Sequence, residues 1–211
     1  MFTGIIETIG IIKSIKPGSS GLRLSITSEK LDGKIEVDNS IAINGICLTV
    51  VKLYRDGFDV DAVRETIERS TLKEWKKGMR VNLERGMPAA GRLDGHLVQG
   101  HVDGQATLRS TERRGESAEM HFICDEVLTK MMVEKGSITV DGISLTLASV
   151  ERKGFSVALI PYTFLHTNLN ELKSGNRVNI ETDIIGKYVA KFMQNEEELN
   201  RSTLRSWGYK L

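Results

Sequence analysis

The chain of 211 residues is poor in cysteine, with two, and in proline, with three, and aromatic side chains make up only 6% of it. Cys47 and Cys124 are too few and too far apart for a disulfide framework, so reduced thiols in a cytoplasmic protein are expected. No run of about eighteen uncharged apolar residues occurs, which excludes an ordinary transmembrane helix. The opening MFTGIIE lacks the basic start and apolar stretch of a secretory signal. An excess of one charge is missing too: 29 Lys and Arg against 28 Asp and Glu leave a net charge of +1, with the signs interspersed. Such a balance offers no electrostatic reason to expect nucleic acid or an anionic membrane as partner. A Walker loop, a GxGxxG fingerprint and a GxSxG elbow are all absent, and no His, Cys and carboxylate cluster has zinc spacing. No metal is expected, and an enzyme built on this chain is neither a simple nucleotide-cofactor enzyme nor a triad hydrolase.

What is present is a long internal repeat. Residues 40–50, SIAINGICLTV, correspond to residues 137–147, SITVDGISLTL, an offset of 137 − 40 = 97. The same offset relates Phe58-Asp59-Val60 to Phe155-Ser156-Val157, Thr66 to Thr163, and GMRVNLE at 78–84 to GNRVNIE at 175–181. One residue of slippage aligns Gly4-Ile5-Ile6 with Gly100-His101-Val102. A period this long is that of a duplicated domain rather than a stacked solenoid. The join falls near Met87-Pro88-Ala89-Ala90-Gly91, which has linker punctuation. Three regions are expected: a first barrel over 1–96, a second over 97–185, and a tail over 186–211.

Each half reads as antiparallel β structure. Apolar Ile41 and Ile43 alternate with Ser40 and Ala42, Asn44-Gly45 marks a tight turn, and Ile46, Leu48 and Val50 resume the alternation. The second half repeats this around Asp141-Gly142. Short strands with regular turns point to a small closed barrel, which removes exposed edges, with a sandwich as the alternative. The tail breaks the symmetry: Tyr188, Phe192 and Leu199, flanked by Val189 and Met193, recur at near-helical spacing, and Glu196, Glu197 and Glu198 supply a polar face. This apolar stripe must be covered by its own barrel or by another subunit; because the repeat is complete without it, subunit contact is the favoured expectation.

The same alternation sends Cys47 and Thr49 to the face opposite Ile46, Leu48 and Val50, and Ser144 and Thr146 to the matching place in the second half. Thr is a good strand former and Cys a small hydrophobe, which accounts for either residue alone. Recurrence of the polar pair raises a ligand site on each barrel. The segment GHLVQGHVDG at 95–104 is rich in Gly and His. Its two histidines are badly spaced for one metal and suit proton transfer or ligand hydrogen bonding; a structural role at the domain junction is the alternative, above all for His96. His121 and His166 lie outside the repeated blocks and are expected at the surface.

These blocks resemble the riboflavin synthase family: MFTGIIE at the start, NGICLTV at 44–50, VNLER at 81–85, GHLVQGHVDG at 95–104 and KGSITVDGISLT at 135–146. The resemblance runs from Met1 to about Val189, with Tyr162 and Asp94 as small departures. It implies two six-stranded Greek-key barrels and a homotrimer held by C-terminal helices, with substrate between the first barrel of one subunit and the second barrel of the next. The implied reaction is cofactor-free dismutation of two 6,7-dimethyl-8-ribityllumazine molecules into riboflavin and 5-amino-6-ribitylaminouracil. Association with lumazine synthase is a partner the resemblance raises and the sequence does not decide. Carried over by position, one ligand is expected at Gly4, Ile5, Ile6, Cys47, Leu48, Thr49, Asp61, Ala62, Val63, Arg64, Glu65 and Thr66. The other is expected at Gly100, His101, Val102, Lys135, Ser144, Leu145, Thr146, Ala158, Leu159, Ile160, Pro161, Tyr162 and Thr163. Donor and acceptor sites must differ, and under the repeat Cys47 meets Ser144, Ile5 meets His101, Asp38 meets Lys135, and Asp61 and Glu65 meet Ala158 and Tyr162. The expectation is that His101, Ser144, Thr146 and Lys135 form the more polar pocket, where the acidic 7-methyl group loses its proton. Cys47 and Ser40 are expected to serve the opposite pocket, with Asp183 approaching it from the second barrel. The rival reading is a non-catalytic lumazine- or flavin-binding antenna of the same fold; retention of the polar site residues argues against it. A purely structural interaction protein leaves the paired polar positions unexplained.

Overall fold

A computed structural model of the chain describes residues 1–18, 21–28, 31 and 35–206. The first barrel is built from β1 (Thr8–Pro17), β2 (Gly21–Thr27), β3 (Ser40–Ile43), β4 (Ile46–Tyr54) and β5 (Gly57–Val63), the short helix α1 (Arg64–Arg69), and β6 (Arg80–Arg85). The second repeats it as β7 (Gly104–Arg114), β8 (Ser117–Cys124), a helical turn α2 (Glu126–Thr129), β9 (Ser137–Val140), β10 (Ile143–Glu151), β11 (Gly154–Leu159), α3 (Pro161–His166) and β12 (Arg177–Thr182). The helix α4 (Ile184–Ser206) follows. Both sheets close, in the orders β1-β2-β5-β4-β3-β6 and β7-β8-β11-β10-β9-β12, with antiparallel pairing throughout. The barrel, not the sandwich, is the architecture.

Closure follows from local chemistry. Asn44 (φ 43°) and Gly45 (φ 75°) both adopt positive φ, as do Asp141 (46°) and Gly142 (80°), the conformation of a two-residue hairpin whose twist suits its strands. Register shifts mark bulges at Ile12/Ser14 and Val50/Lys52, and again at the matching Leu108/Ser110 and Leu147/Ser149. Extra residues at these places bend and coil the strands enough to close a six-stranded sheet. Each barrel then encloses its own apolar core, one around Ile12, Leu24, Ile43, Val60 and Leu83, the other around Leu108, Met120, Ile138, Val157 and Ile180.

The barrels meet back to back at their hairpin turns. A Cβ on Gly45 would lie 2.6 Å from the Gly142 nitrogen, and one on Gly142 would lie 2.7 Å from the Gly45 nitrogen. Around this contact runs a buried polar seam with approximate twofold symmetry. Asn82 donates its main-chain N–H to Asn44 Oδ1 (2.7 Å) and its side-chain amide to the Asp141 carbonyl (3.0 Å); Asn179 donates likewise to Asp141 Oδ1 (2.8 Å) and the Asn44 carbonyl (2.9 Å). Asn168 adds a bond from Nδ2 to Asp141 Oδ2 (2.7 Å). Burial pushes the Asp141 carboxyl up to about 7, against the pull of its Asn179 and Asn168 donors.

The tail is helical, as its spacing predicts. Gly186 packs its first turn against the second barrel, where a Cβ would be 2.9 Å from the Met131 carbonyl. Beyond that the helix leaves Ile185, Tyr188, Val189, Phe192 and Met193 more than half exposed, so its own barrels do not cover the apolar stripe. The side chains of Leu199 and Glu196–Glu198 lie outside the described residues. Among the described residues, no helix is long and apolar enough to cross a membrane.

Candidate active site

On β4, Ile46, Leu48 and Val50 fill the core, leaving Cys47 half-buried and Thr49 exposed on the outer face; on β10, Ser144 and Thr146 stand in the same way. The segments that lead into β1 and β7 then complete two sites by crossing over. The carbonyl of Gly4 accepts the N–H of Ser144 at 2.7 Å, and that of Gly100 accepts the N–H of Cys47 at 2.8 Å. Both glycines have positive φ (79° and 78°), and a Cβ on either would come within 2.6 Å of the Ser144 or Cys47 Cβ. Only glycine satisfies the conformation and the approach together. Between the crossing segments Phe2 and Val98 form an antiparallel bridge, and the Phe2 ring is fully buried.

This crossover corrects the expected grouping. Within the chain, Gly4, Ile5 and Ile6 lie with Ser144, Tyr162 and Thr163 of the second barrel, around a cavity of about 550 Å³. Gly100, His101 and Val102 lie with Cys47, Glu65 and Thr66 of the first barrel, around a cavity of about 180 Å³. His101 therefore does not share a pocket with Ser144 in one chain. The repeat aligned like with like, whereas each leading segment hydrogen-bonds to the strand of the other barrel, a pairing that self-similarity does not encode.

The histidine at Ser144 is His96. Its Nδ1 lies 2.7 Å from Ser144 Oγ, and its ring is 9% exposed. Burial holds this imidazole below its usual pKa, while the nearby charge of Asp183 pulls the other way. Asp183 accepts the N–H of Ile185 at 2.9 Å at the start of α4, and within the chain its charge is felt by His96. The structural role that the sequence allowed for His96 thus becomes a hydrogen bond to a site hydroxyl. Its partner lies 48 residues away on another barrel, and no local pattern announces the pair. At the other site, burial raises the Cys47 thiol, and a hydrogen bond with Ser40 works against that rise. The His101 side chain is exposed.

The remaining expected residues separate into those that face a cavity and those that do not. Leu48, Ala62, Leu145 and Leu159 turn into the cores. Asp61 is held by Arg23 in a two-pronged ion pair at 2.7 Å, which keeps its carboxyl below the usual range. Arg64 pairs with Glu68, and Glu65 pairs with Arg69 at the mouth of the Cys47 cavity. Val63, Ala158 and Ile160 are exposed, Pro161 opens α3, and Tyr162 stacks on His166 at 4.0 Å between ring centres. Lys135, with φ 66°, is exposed and donates its N–H to the carbonyl of Leu147, next to Thr146; Asp38 does the same to Val50 with φ 70°. His121 is half-buried and within 4 Å of Glu112 and Glu119, not freely at the surface.

Comparison with known proteins agrees with this duplicated arrangement. The lumazine binding domain matches the chain twice, over residues 3–86 and 99–183. Riboflavin synthase of Bacillus subtilis (strain 168) is 43% identical over 198 residues, covering 94% of this chain and 92% of that one. Riboflavin synthase of Actinobacillus pleuropneumoniae is 40% identical, covering 92% and 90%. Among solved structures, LumP complexed with riboflavin superposes with a TM-score of 0.79 at 28% identity, covering 86% of this chain and 99% of that one. LumP complexed with 6,7-dimethyl-8-(1'-D-ribityl) lumazine has a TM-score of 0.78 at 24% identity, a likeness of fold. With two complete lumazine binding domains and this kinship over nearly its whole length, the chain is an enzyme of the riboflavin synthase family.

Proposed function

We propose that the chain converts two molecules of 6,7-dimethyl-8-ribityllumazine into riboflavin and 5-amino-6-ribitylaminouracil by transfer of a four-carbon unit. The observation that carries the reading is the pair of matched but chemically different sites: a Ser144–His96 hydrogen bond at one, and Cys47 with Ser40 and His101 at the other. A dismutation uses one molecule as donor and its twin as acceptor, and the two products contain all the atoms of the two substrates. The protein's task is therefore placement and proton handling, and holding two reactants in register replaces a bimolecular encounter.

In this reading the Ser144–His96 pair takes the proton from the 7-methyl group of one bound lumazine. A neutral imidazole is the form that can accept it, and burial favours that form. Lys135, just ahead of β9, and Thr146 on β10 are proposed to stabilise the resulting anion. Cys47, Ser40 and His101 are proposed to hold the second lumazine, with the Cys47 thiol kept protonated by burial and acting as a hydrogen-bonding group. The uncovered face of α4 supports a subunit contact, and the assembly proposed is a homotrimer in which the first barrel of one subunit faces the second barrel of the next. The two free cysteines fit a cytoplasmic, reducing location.

A second reading, a holder of lumazine or flavin without chemistry, draws on the structural likeness to LumP. One experiment separates the two: purified protein is given 6,7-dimethyl-8-ribityllumazine alone, and riboflavin is followed by absorbance. Sustained formation of one riboflavin for two lumazines consumed is the expected result. Tight binding without turnover supports the holder, and neither binding nor turnover defeats both readings.

A further inference from the structure

Two buried carboxylates stand outside the chemistry assigned above. Glu84 on β6 is 4% exposed and Glu181 on β12 is 3% exposed, and they occupy matched positions of the repeat (181 − 84 = 97). Glu84 accepts the N–H of Thr3 (2.6 Å), the hydroxyl of Thr3 (2.7 Å) and the N–H of Gly4 (3.0 Å). Glu181 accepts three consecutive main-chain N–H groups, from Gln99 (2.7 Å), Gly100 (2.8 Å) and His101 (3.0 Å). A buried carboxylate is costly to keep charged, and such a fan of donors is what stabilises it there. Burial raises both carboxyls from their usual values, and the donors pull them back.

The segment that carries His101 is therefore gripped from two sides. Glu181 accepts its N–H groups, and the N–H of Cys47 donates to the Gly100 carbonyl. Among the described residues no hydrogen bond reaches the imidazole itself, so the main chain sets where it stands.

The halves differ one residue further on. In the first, Glu7 pairs with Arg85, the residue after Glu84, at 2.7 Å. In the second, Asp103 takes the place of Glu7, and the position of Arg85 is held by uncharged Thr182. Thr182 donates its N–H and hydroxyl to Asp103 Oδ2 at 2.8 and 2.9 Å. The cation comes instead from α4: Lys187 Nζ lies 2.6 Å from Asp103 Oδ2, with both side chains only 20% exposed. The Lys187 charge is also felt by Glu181. The first turn of the C-terminal helix is thus joined to a residue two positions from His101.

We propose that Glu181 is the positioning residue for His101 and that Lys187 ties α4 to the same segment, so that the seating of the helix sets where the imidazole stands beside Cys47. The consequence for turnover rests on the reading of His101 as a site residue given above. Displacement of a site group by even an ångström costs up to about 100-fold in rate.

The test uses Glu181→Gln and Lys187→Met in the full-length chain. Gln keeps one acceptor oxygen and turns an N–H group toward donors, and Met removes the helix cation at similar length. The ring resonances of His101, assigned by their loss in His101→Ala, are expected to move in both variants while those of His166 do not. Turnover of 6,7-dimethyl-8-ribityllumazine is expected to fall about 10- to 100-fold in Glu181→Gln and less in Lys187→Met, with KM changed by less than about twofold. In a His101→Ala background Glu181→Gln is expected to cost nothing more. Unmoved His101 resonances, or a full additional loss in that background, overturn the proposal. If the wild-type chain makes no riboflavin, the functional reading fails, and the ring resonances alone still decide the positioning. Should Glu181→Gln not fold, Lys187→Met decides it in the same way.

Discussion

A proton acceptor at the Ser144 site must be neutral when it works, and the environment of His96 decides whether it is. Burial disfavours its charged form and lowers its pKa from 6.5, so the neutral ring predominates at pH 6.5; Asp183 opposes this without reversing it. The acid limb of the pH–rate profile is accordingly expected to be centred below pH 6.5. Ser144→Ala and His96→Ala are each expected to slow riboflavin formation by roughly 10²- to 10⁴-fold while lumazine binding, followed by fluorescence, persists. An acid limb centred above pH 6.5, or a Ser144→Ala enzyme of undiminished rate, would remove the pair from the chemistry. Residues at this scale were unequally legible. Cys47, Thr49, Ser144 and Thr146 follow from strand alternation, because a period of two leaves no other face for them. His96 does not, because its partner comes from a strand far along the chain.

The elements were legible where their period was strong. Strand alternation and the Asn44-Gly45 and Asp141-Gly142 turns are written locally, and so is the apolar stripe of α4. The bulges that curve both barrels were not read, since an extra residue in a strand has no composition of its own. The helix supplies the prediction at this scale. Ile185, Tyr188, Val189, Phe192 and Met193 stand more than half exposed, and covering such side chains is worth on the order of 1–2 kcal/mol each. A charge among them opposes association without touching either barrel core. Phe192→Glu is expected to convert a trimer into smaller species by light scattering, with the β signal of the barrels unchanged by circular dichroism. A trimer of full stability in that variant, or a wild-type chain that is monomeric, removes α4 as the subunit contact.

At the scale of the molecule, the two barrels are joined by a seam whose one ionisable group, among the bonded residues described above, is Asp141. Its carboxyl is raised from 3.8 to about 7, so between these values the folded chain holds a proton that the unfolded chain has released. Stability from this group is therefore present at low pH and lost as pH rises toward 7, a change on the order of 2–4 kcal/mol at most. Glu84 and Glu181, also raised, act in the same direction. Urea unfolding at pH 4.5 and pH 8 is expected to show a smaller difference in Asp141→Asn than in the wild type, because Asn does not titrate; equal differences would mean that the seam carboxyl does not titrate in this range. The amino-acid sequence by itself determined the duplication, the antiparallel strands, the outward polar pairs and the apolar tail, since each is a periodicity or a spacing carried by neighbouring residues. Only the tertiary structure decided the closed barrel over the sandwich, the crossing of Gly4–Ile6 and Gly100–Val102 onto opposite barrels, and the meeting of His96 with Ser144. Those depend on hydrogen bonds and burial between segments tens of residues apart, where the energy lies in the fit of two surfaces rather than in the pattern of either.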